Sequence, residues 1–387
     1  MRVITDDERR ARLADRHALV RPAASVADAT RAVVCLHATE QANAYLSVFA
    51  RSGATREAVD RALYEERSVV RQLAMRRTVF AFPRDVLPAV RGSASARVAA
   101  QLAARLAKEV QASGITDDGV GWVGDTCAAI VAELRGRPAT TAQLRAALPA
   151  LELRLTAPDT APGGDAPIAS RVLSTLAADG RVLRGRNSSG WKAARPFWTL
   201  ADEWLGEPPV TLDERAGYAE LVGRWLARFG PGTEADIVWW LGATKGAVRR
   251  ALVDVDAVAV ELADGTPAWV HPRDTDPVAP PEPWAALLPA LDPTTMGWQG
   301  RGFYLGDLAP LIFDRNGNGG PTAWWDGRIV GGWTQKDDGT VVVVPAGTLP
   351  AAARRPLADA AARLTAWLDG EVVRSVYQSP LVRGLAR

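Results

Sequence analysis

The stretch TEADIVWWLGATKGAVRRALVDVDAVAVELADGTPAWVHP, residues 233–272, decides the fold. Thr233 with Asp236 has the spacing of a capping box, so an apolar helix opens there. Gly242 and Ala243 leave only a short turn before Thr244 caps a second helix, which carries Lys245, Arg249 and Arg250. The alternating AVAVELADGTPAWV then reads as a hairpin turning at Asp264 and Gly265. Upstream, ERAGYAELVGRWLARFG (214–230) places apolar residues at helical spacing and stops at Gly230, before Pro231. Helix, helix, short turn, basic helix and hairpin is the winged helix-turn-helix order, in which the second helix of the pair fits a DNA major groove.

Two further copies lie outward of this stretch. GDTCAAIVAELRGRP (124–138) reads as a helix stopped by proline, and Thr140 caps TTAQLRAALPAL. APIASRVLSTLAADG (166–180) supplies a candidate recognition helix, and RVLRGRNSSGWKAARPFWTL a hairpin turning over 187–190. Between them, TAPDTAPGGDAP (156–167) is a Pro/Gly/Asp loop. The first copy is looser. It has a charged helix over 5–18, a helix capped by Ser25 with Asp28, a helix over 54–64, and SVVRQLAMRRTVFAFP read as a helix running into an apolar strand. After 275 comes a PVAPPEPW linker, then two strand runs, TAWWDGRIVGGW and GTVVVVPAG, joined by QKDDG, and the helix PLADAAARLTAWLDG. The expectation is an α+β, mainly helical chain of three tandem winged-helix domains (1–100, 120–205, 210–275) with a β-rich C-terminal module over 276–387.

Composition bounds the class. The chain has 387 residues, of which 48% are hydrophobic, enough for several packed units. Its apolar runs fall well short of a membrane span, and the charged start MRVITDDERRARLADRH carries no apolar signal region, so a cytoplasmic, nucleoid-associated protein without membrane contact is expected. Cys35 and Cys127 stand far apart, each in an apolar helical pattern, and His17, His37 and His271 have no nearby cysteine. Neither a disulfide framework nor a metal site follows, and no cofactor is expected. A net charge of +2 is small, but Lys and Arg cluster over 71–77, 181–192 and 245–250, local patches that suit a groove-binding protein.

Five segments then carry a resemblance: VVCLHATEQANAYLSVFAR (33–51), ALYEERSVVRQLAMRRTVF (62–80), RFGPGTEADIVWWLG (228–242), ALDPTTMGW (290–298) and DRNGNGGPTAWWDGRIVGGW (314–333). In that order they resemble the winged-helix DNA glycosylases of the AlkZ/YcaQ type, over roughly residues 5–380. The resemblance implies three winged helices and a β-rich element arranged as a C around duplex DNA. It also implies excision of bulky or crosslinked N-alkylpurines, without metal or lyase chemistry. The family's catalytic motif is Gln-apolar-Gln in one branch and Gln-apolar-Asp in the other. The matching positions here read His37, Ala38 and Thr39, followed by Glu40.

The departure makes chemical sense. An N7- or N3-alkylated purine is already cationic and leaves readily, so the enzyme must mainly position a water and stabilise an oxocarbenium-like sugar. On an extended segment, His37 and Thr39 share one face: His37, at an unperturbed pKa near 6.5, would accept the water's proton while Thr39 fixes its second hydrogen bond. A helical segment instead pairs His37 with Glu40, whose charge would face the cationic sugar. The structural alternatives are a buried histidine, a helix cap at Thr39 and a first-turn charge at Glu40.

The resemblance places a hairpin near the lesion at DRNGNGG, which assigns DNA contact to Arg315 and Asn316. Arg76 and Arg77 before a wing strand, Arg186, Asn187 and Lys192 around a wing turn, and Lys245 and Arg249 on a recognition helix are the other candidate contacts. The reading is a monomeric, monofunctional DNA glycosylase acting on duplex DNA that contains alkylated purines, with a role in repair or genotoxin resistance. Its rival is a catalytically silent winged-helix DNA-binding protein, a repair scaffold or transcription regulator.

Overall fold

The computed structural model describes residues 1–155 and 168–383. The deciding stretch folds as helices Glu214–Phe229, Glu234–Leu241 and Lys245–Asp254 followed by strands Val258–Leu262 and Pro267–Val270. The Thr233 and Asp236 side chains form the capping box, Thr244 Oγ accepts from Ala247 N–H (3.2 Å), and Gly242 and Gly265 take left-handed turn positions (φ +61° and +82°). The helices close over Trp225, Phe229, Ile237, Trp240, Val248 and Leu252, all buried. Gly232 pairs with Trp269, adding a short third element to the hairpin.

The same order recurs upstream. Helix Gly119–Leu134 opens earlier than its apolar pattern suggests, because Asp118 caps it through Gly121 N–H (2.9 Å). Thr140 and Gln143 then form a capping box on helix Thr141–Ala147, and helix Ala169–Asp179 leads to strands Val182–Asn187 and Pro196–Leu200, with Ala139 bridged to Trp198. The loop read over 156–167 lies outside the described residues, as do Ala166 and Pro167 of the helix read there.

The first unit holds helices Val26–Arg31, Gln41–Ser52 and Arg56–Tyr64 and a sheet of three strands: Leu36–His37, then Thr78–Pro83, then Val69–Ala74 at the far edge. Here one expectation fails. The run after Ser68 is strand rather than helix, paired from Val69↔Pro83 to Ala74↔Thr78. All six residues of Val69–Ala74 are buried, one face under helix Ala169–Asp179 and the other against the first unit's helices and the second unit's hairpin. Burial on both faces erases the period-2 signal, and only tertiary contact separates such a strand from a helix. A long helix, Ala96–Ala112, joins the first unit to the second.

Strand Val3–Ile4 pairs in parallel with Val258–Leu262, so the start of the chain completes the third unit's sheet, and helix Asp6–Arg16 follows it there. Four antiparallel strands, Ala285–Leu288, Thr322–Trp325, Arg328–Gln335 and Val341–Pro345, form the C-terminal sheet under helix Ala351–Leu368. The apolar face of that helix, Ala353, Leu357, Ala360, Leu364 and Leu368, is buried on the sheet. Among the described residues no helix is long and apolar enough to cross a membrane.

One buried network locks these parts together. Asp292, in the ALDPTTMGW segment, receives both Arg51 nitrogens (2.7 and 2.8 Å), the Ser47 hydroxyl (2.7 Å) and Thr294 N–H (2.9 Å). Arg51 Nη2 also donates to Thr294 Oγ1 (2.8 Å), so the threonine proton is free to donate to His17 Nδ1 (2.9 Å). His17 Nε2–H then donates to the Arg228 carbonyl (3.1 Å). Four distant segments meet there, and the enclosed charge pair is held by bonds to both Arg51 terminal nitrogens and both Asp292 oxygens, although Arg51 Nε is buried without a partner among the described residues. On the other side the second unit's hairpin loop inserts Trp191 against Tyr45 and Trp367, at 5.6 Å from each ring.

Candidate active site

Leu36↔Ala81 and His37↔Phe80 pair across strands, and Ala38 N–H donates to Val79 O (2.9 Å). Residues 36–38 are therefore extended, and the chain bends at Thr39 and Glu40. Leu36 and Ala38 turn into the core, His37 is half-buried and Thr39 is exposed, as period 2 requires. The helical pairing of His37 with Glu40 does not form. Nor does Thr39 cap the next helix, since the N-cap of Gln41–Ser52 is Glu40.

The His37 ring lies edge-on to Phe80 (5.4 Å, 69°), and its Nδ1 is buried with no partner among the described residues. Burial, with the Arg76 guanidinium adding to it, lowers its pKa to about 3. This corrects the general-base argument made from a pKa near 6.5: so depressed a ring is a weak proton acceptor at neutral pH. It remains neutral, however, and a neutral ring nitrogen accepts a hydrogen bond from water as an amide oxygen would. Glu40 turns away to the C-terminal segment. Its carboxylate takes the Ser375 hydroxyl (2.6 Å), Val376 N–H (2.6 Å) and Asn43 Nδ2 (2.9 Å).

Arg76 and Arg77 form the tip of the hairpin beside this segment, both in the left-handed region (φ 54° and 58°). Such residues cost about 1–3 kcal/mol each and persist only where surroundings impose them. Arg76 stacks over Trp239 at 4.3 Å. Arg301 stacks on the same indole (5.0 Å) and on Phe313 (4.3 Å). Burial lowers Arg76 to about 10, which leaves it a cation. Phe313 in turn pairs with Gly319 at the base of the 314–320 loop. The Asp314 carboxylate receives Asn316 N–H, Asn318 N–H and Asn318 Nδ2 at 2.8–3.0 Å, so the loop is braced from within while Arg315 and Asn316 point out exposed.

The structure thus joins the His37 strand, the Arg76–Arg77 tip and the base of the 314–320 loop in one run of contacts through Phe80, Trp239, Arg301 and Phe313, with Thr39, Arg77, Arg315 and Asn316 exposed on the joined segments. Lys245 joins it, exposed on the helix after Gly242, whose turn abuts Arg76. The other candidates are engaged elsewhere. Arg249 is paired with Glu234 (2.7 Å), Lys192 with Glu371, and Asn187 bonds within its own loop to Gly190, Ala193 and Arg195. Arg186 is exposed, near Glu65 (3.9 Å). Sequence reading missed Trp239, Arg301 and Phe313. Stacking across three segments has no local signature. No group of three metal-binding side chains occurs among the described residues.

The chain belongs to the AlkZ-like DNA glycosylase family, which matches residues 30–367. It is accordingly a DNA glycosylase, an enzyme of DNA repair whose substrate is DNA. In fold it is similar to the solved Streptomyces sahachiroi DNA glycosylase AlkZ, with a TM-score of 0.75 and 21% identity over 94% of this chain and 97% of that one. No curated protein sequence matches the chain.

Proposed function

We propose that this glycosylase hydrolyses the N-glycosidic bond of bulky or crosslinked N-alkylpurines in duplex DNA, as a monomer in the cytoplasm. The observation that carries this reading is the presence of His37 and Thr39 at alternate positions of the segment that pairs with Thr78–Pro83, with a neutral imidazole whose Nδ1 makes no hydrogen bond among the described residues. A neutral acceptor and a hydroxyl hold a water without protonating the leaving group, which is all that an already cationic base requires. A neutral or weakly activated base would need an acid as well. His37 orients the water, Thr39 takes its second hydrogen bond, and the proton leaves to solvent as the bond to C1′ forms.

Three winged-helix units would line the duplex, with Arg77, Lys245, Arg315, Asn316 and Arg186 as exposed contacts and Arg76 held beside the catalytic segment. The order of helices and hairpin repeated in each unit supports this arrangement. The test is direct. Incubation with duplex bearing a single N7-alkylguanine should produce alkali-labile abasic sites at that position, in the presence of EDTA as in its absence. If alkali-labile sites do not form on any cationic purine adduct, the substrate class is wrong.

A further inference from the structure

We propose that Glu40 is a positioning residue that clasps the C-terminal segment 375–377 to the catalytic segment, so that both share one rim with the 314–320 loop. The proposal rests on reading residues 37–39 as the water-holding segment. It begins from a misfit. Glu40 is the N-cap of helix Gln41–Ser52, yet its side chain makes no capping bond to that helix. Both carboxylate oxygens reach instead to a segment more than three hundred residues away: Ser375 Oγ–H donates to Oε2 and Val376 N–H to Oε1, each at 2.6 Å, while Asn43 Nδ2 from the helix's first turn also donates to Oε2 (2.9 Å). Bonds this short to a charged acceptor are strong and directional. Ser375 is braced in turn, since its Oγ accepts from Tyr377 N–H (3.0 Å).

The far end of the segment is fixed to the loop. Leu381 N–H donates to Leu311 O (3.0 Å), and Ser379 is fully buried against Gly320, where a Cβ would fall 2.5 Å from the Ser379 nitrogen. Between these anchors sits Tyr377, half-buried, its hydroxyl pushed up by burial and then by the Glu40 and Asp314 carboxylates. The near end is held as well, by Val373 N–H on Gln335 Oε1 (2.8 Å) and by Arg374 on Gln335 O (2.6 Å) and Asp337 (2.8 Å). The segment itself lies beyond residue 367, outside the stretch that matches the family, while the residues that anchor it lie within that stretch.

The consequence is mechanical. Residues 36–38 are pinned by strand pairing, but Thr39 is exposed and lies one step past the last ladder bond, so its direction depends on Glu40. A loose Glu40 lets Thr39 and the 314–320 loop drift relative to His37, and ångström-scale drift in a water-holding pair is costly in rate.

The clasp can be cut from either side. Glu40→Ala should slow single-turnover excision from N7-alkylguanine duplex about tenfold or more, and Ser375→Ala by a smaller factor, with affinity for undamaged duplex unchanged. Ser375→Thr, which keeps the hydroxyl, should restore the rate, and the double alanine variant should be no slower than Glu40→Ala. Independently of any substrate, hydrogen exchange at Val376 N–H should accelerate at least about tenfold in Glu40→Ala, since a bond that holds an amide governs its local opening. Two results overturn the proposal. One is unchanged Val376 exchange in Glu40→Ala. The other is a large loss with both Glu40→Ala and Glu40→Gln while Ser375→Ala excises at the native rate, which would mean that Glu40 acts on the substrate through its charge. A native protein that leaves the adduct untouched counts against the substrate reading, and the exchange measurement then still decides the clasp.

Discussion

His37 shows how far a residue's chemistry departs from its reference value once it is packed. Free histidine titrates near 6.5, but burial beside Phe80 and Arg76 brings this one to about 3. The enzyme's pH–rate profile should therefore lack an acid limb near 6.5 and stay level from about pH 5 to 8. His37→Ala should lower the single-turnover rate by about 10²-fold, the loss typical of a misplaced water, whereas His37→Gln should keep much of the activity. A rate that follows a pKa near 6.5 would restore general-base chemistry at this position. His17 obeys the same logic for stability. It is fully buried and neutral in its hydrogen-bond relay, and burial with the nearby Arg51 lowers it to about 3. The unfolded state then binds the extra proton, so His17 favours folding fully above pH 6.5 and progressively less as the pH falls toward 3. Urea midpoints measured across that window should decline with acid, and decline less in His17→Gln.

At the scale of elements, the hairpin Val69–Ala74 and Thr78–Pro83 is held from outside as much as by its own pairing. Of its two left-handed arginines, Arg76 stacks on Trp239, which belongs to the third unit. Trp239→Ala should release the tip, and the excision rate should fall more than the affinity for undamaged duplex, because the arginines remain present but are no longer placed. Equal losses in both would make Trp239 a plain contributor to binding. The 314–320 loop is the complementary case, because its shape is local. Asp314 braces it from within, so shortening 315–319 should remove the exposed Arg315 and Asn316 without disturbing the sheet behind it. Excision should drop while the thermal midpoint holds. Full excision by the shortened protein would reduce the segment to a turn.

The whole molecule depends on the Asp292 network, which joins the first unit, the third unit, the N-terminal helix and the C-terminal module in one buried cluster. Arg51→Met leaves a buried carboxylate unpaired and should reduce unfolding free energy by about 3–5 kcal/mol, measured by chemical denaturation. Adding Asp292→Leu should recover part of that loss, since an apolar pair no longer strands a charge. Stability that fell further in the double variant would show that Ser47 and Thr294 depend on the carboxylate more than the arginine does. For DNA, the exposed cations are dispersed over several elements, so affinity for undamaged duplex should be sequence-tolerant and fall steeply with salt.

The sequence alone determined whatever is local in origin. Capping boxes at Thr233 and Thr140, the turn at Asp264 and Gly265, and the helical spacing of 214–229 are written in neighbouring residues, because caps and turns are satisfied within a few positions. Membership of the DNA glycosylase family was legible too, through the resemblance of five segments. Tertiary structure alone decided the rest. Whether 36–40 is strand or helix depended on Thr78–Pro83 arriving beside it, and the strand at Val69–Ala74 became visible only once both its faces were buried. Glu40's partners at Ser375 and Val376, and the stacking of Arg76 on Trp239, join residues that no window of sequence contains together. Hydrogen-bond partners and local dielectric are properties of a packed environment, and for a site assembled from three units that environment exists only after the chain has closed on itself.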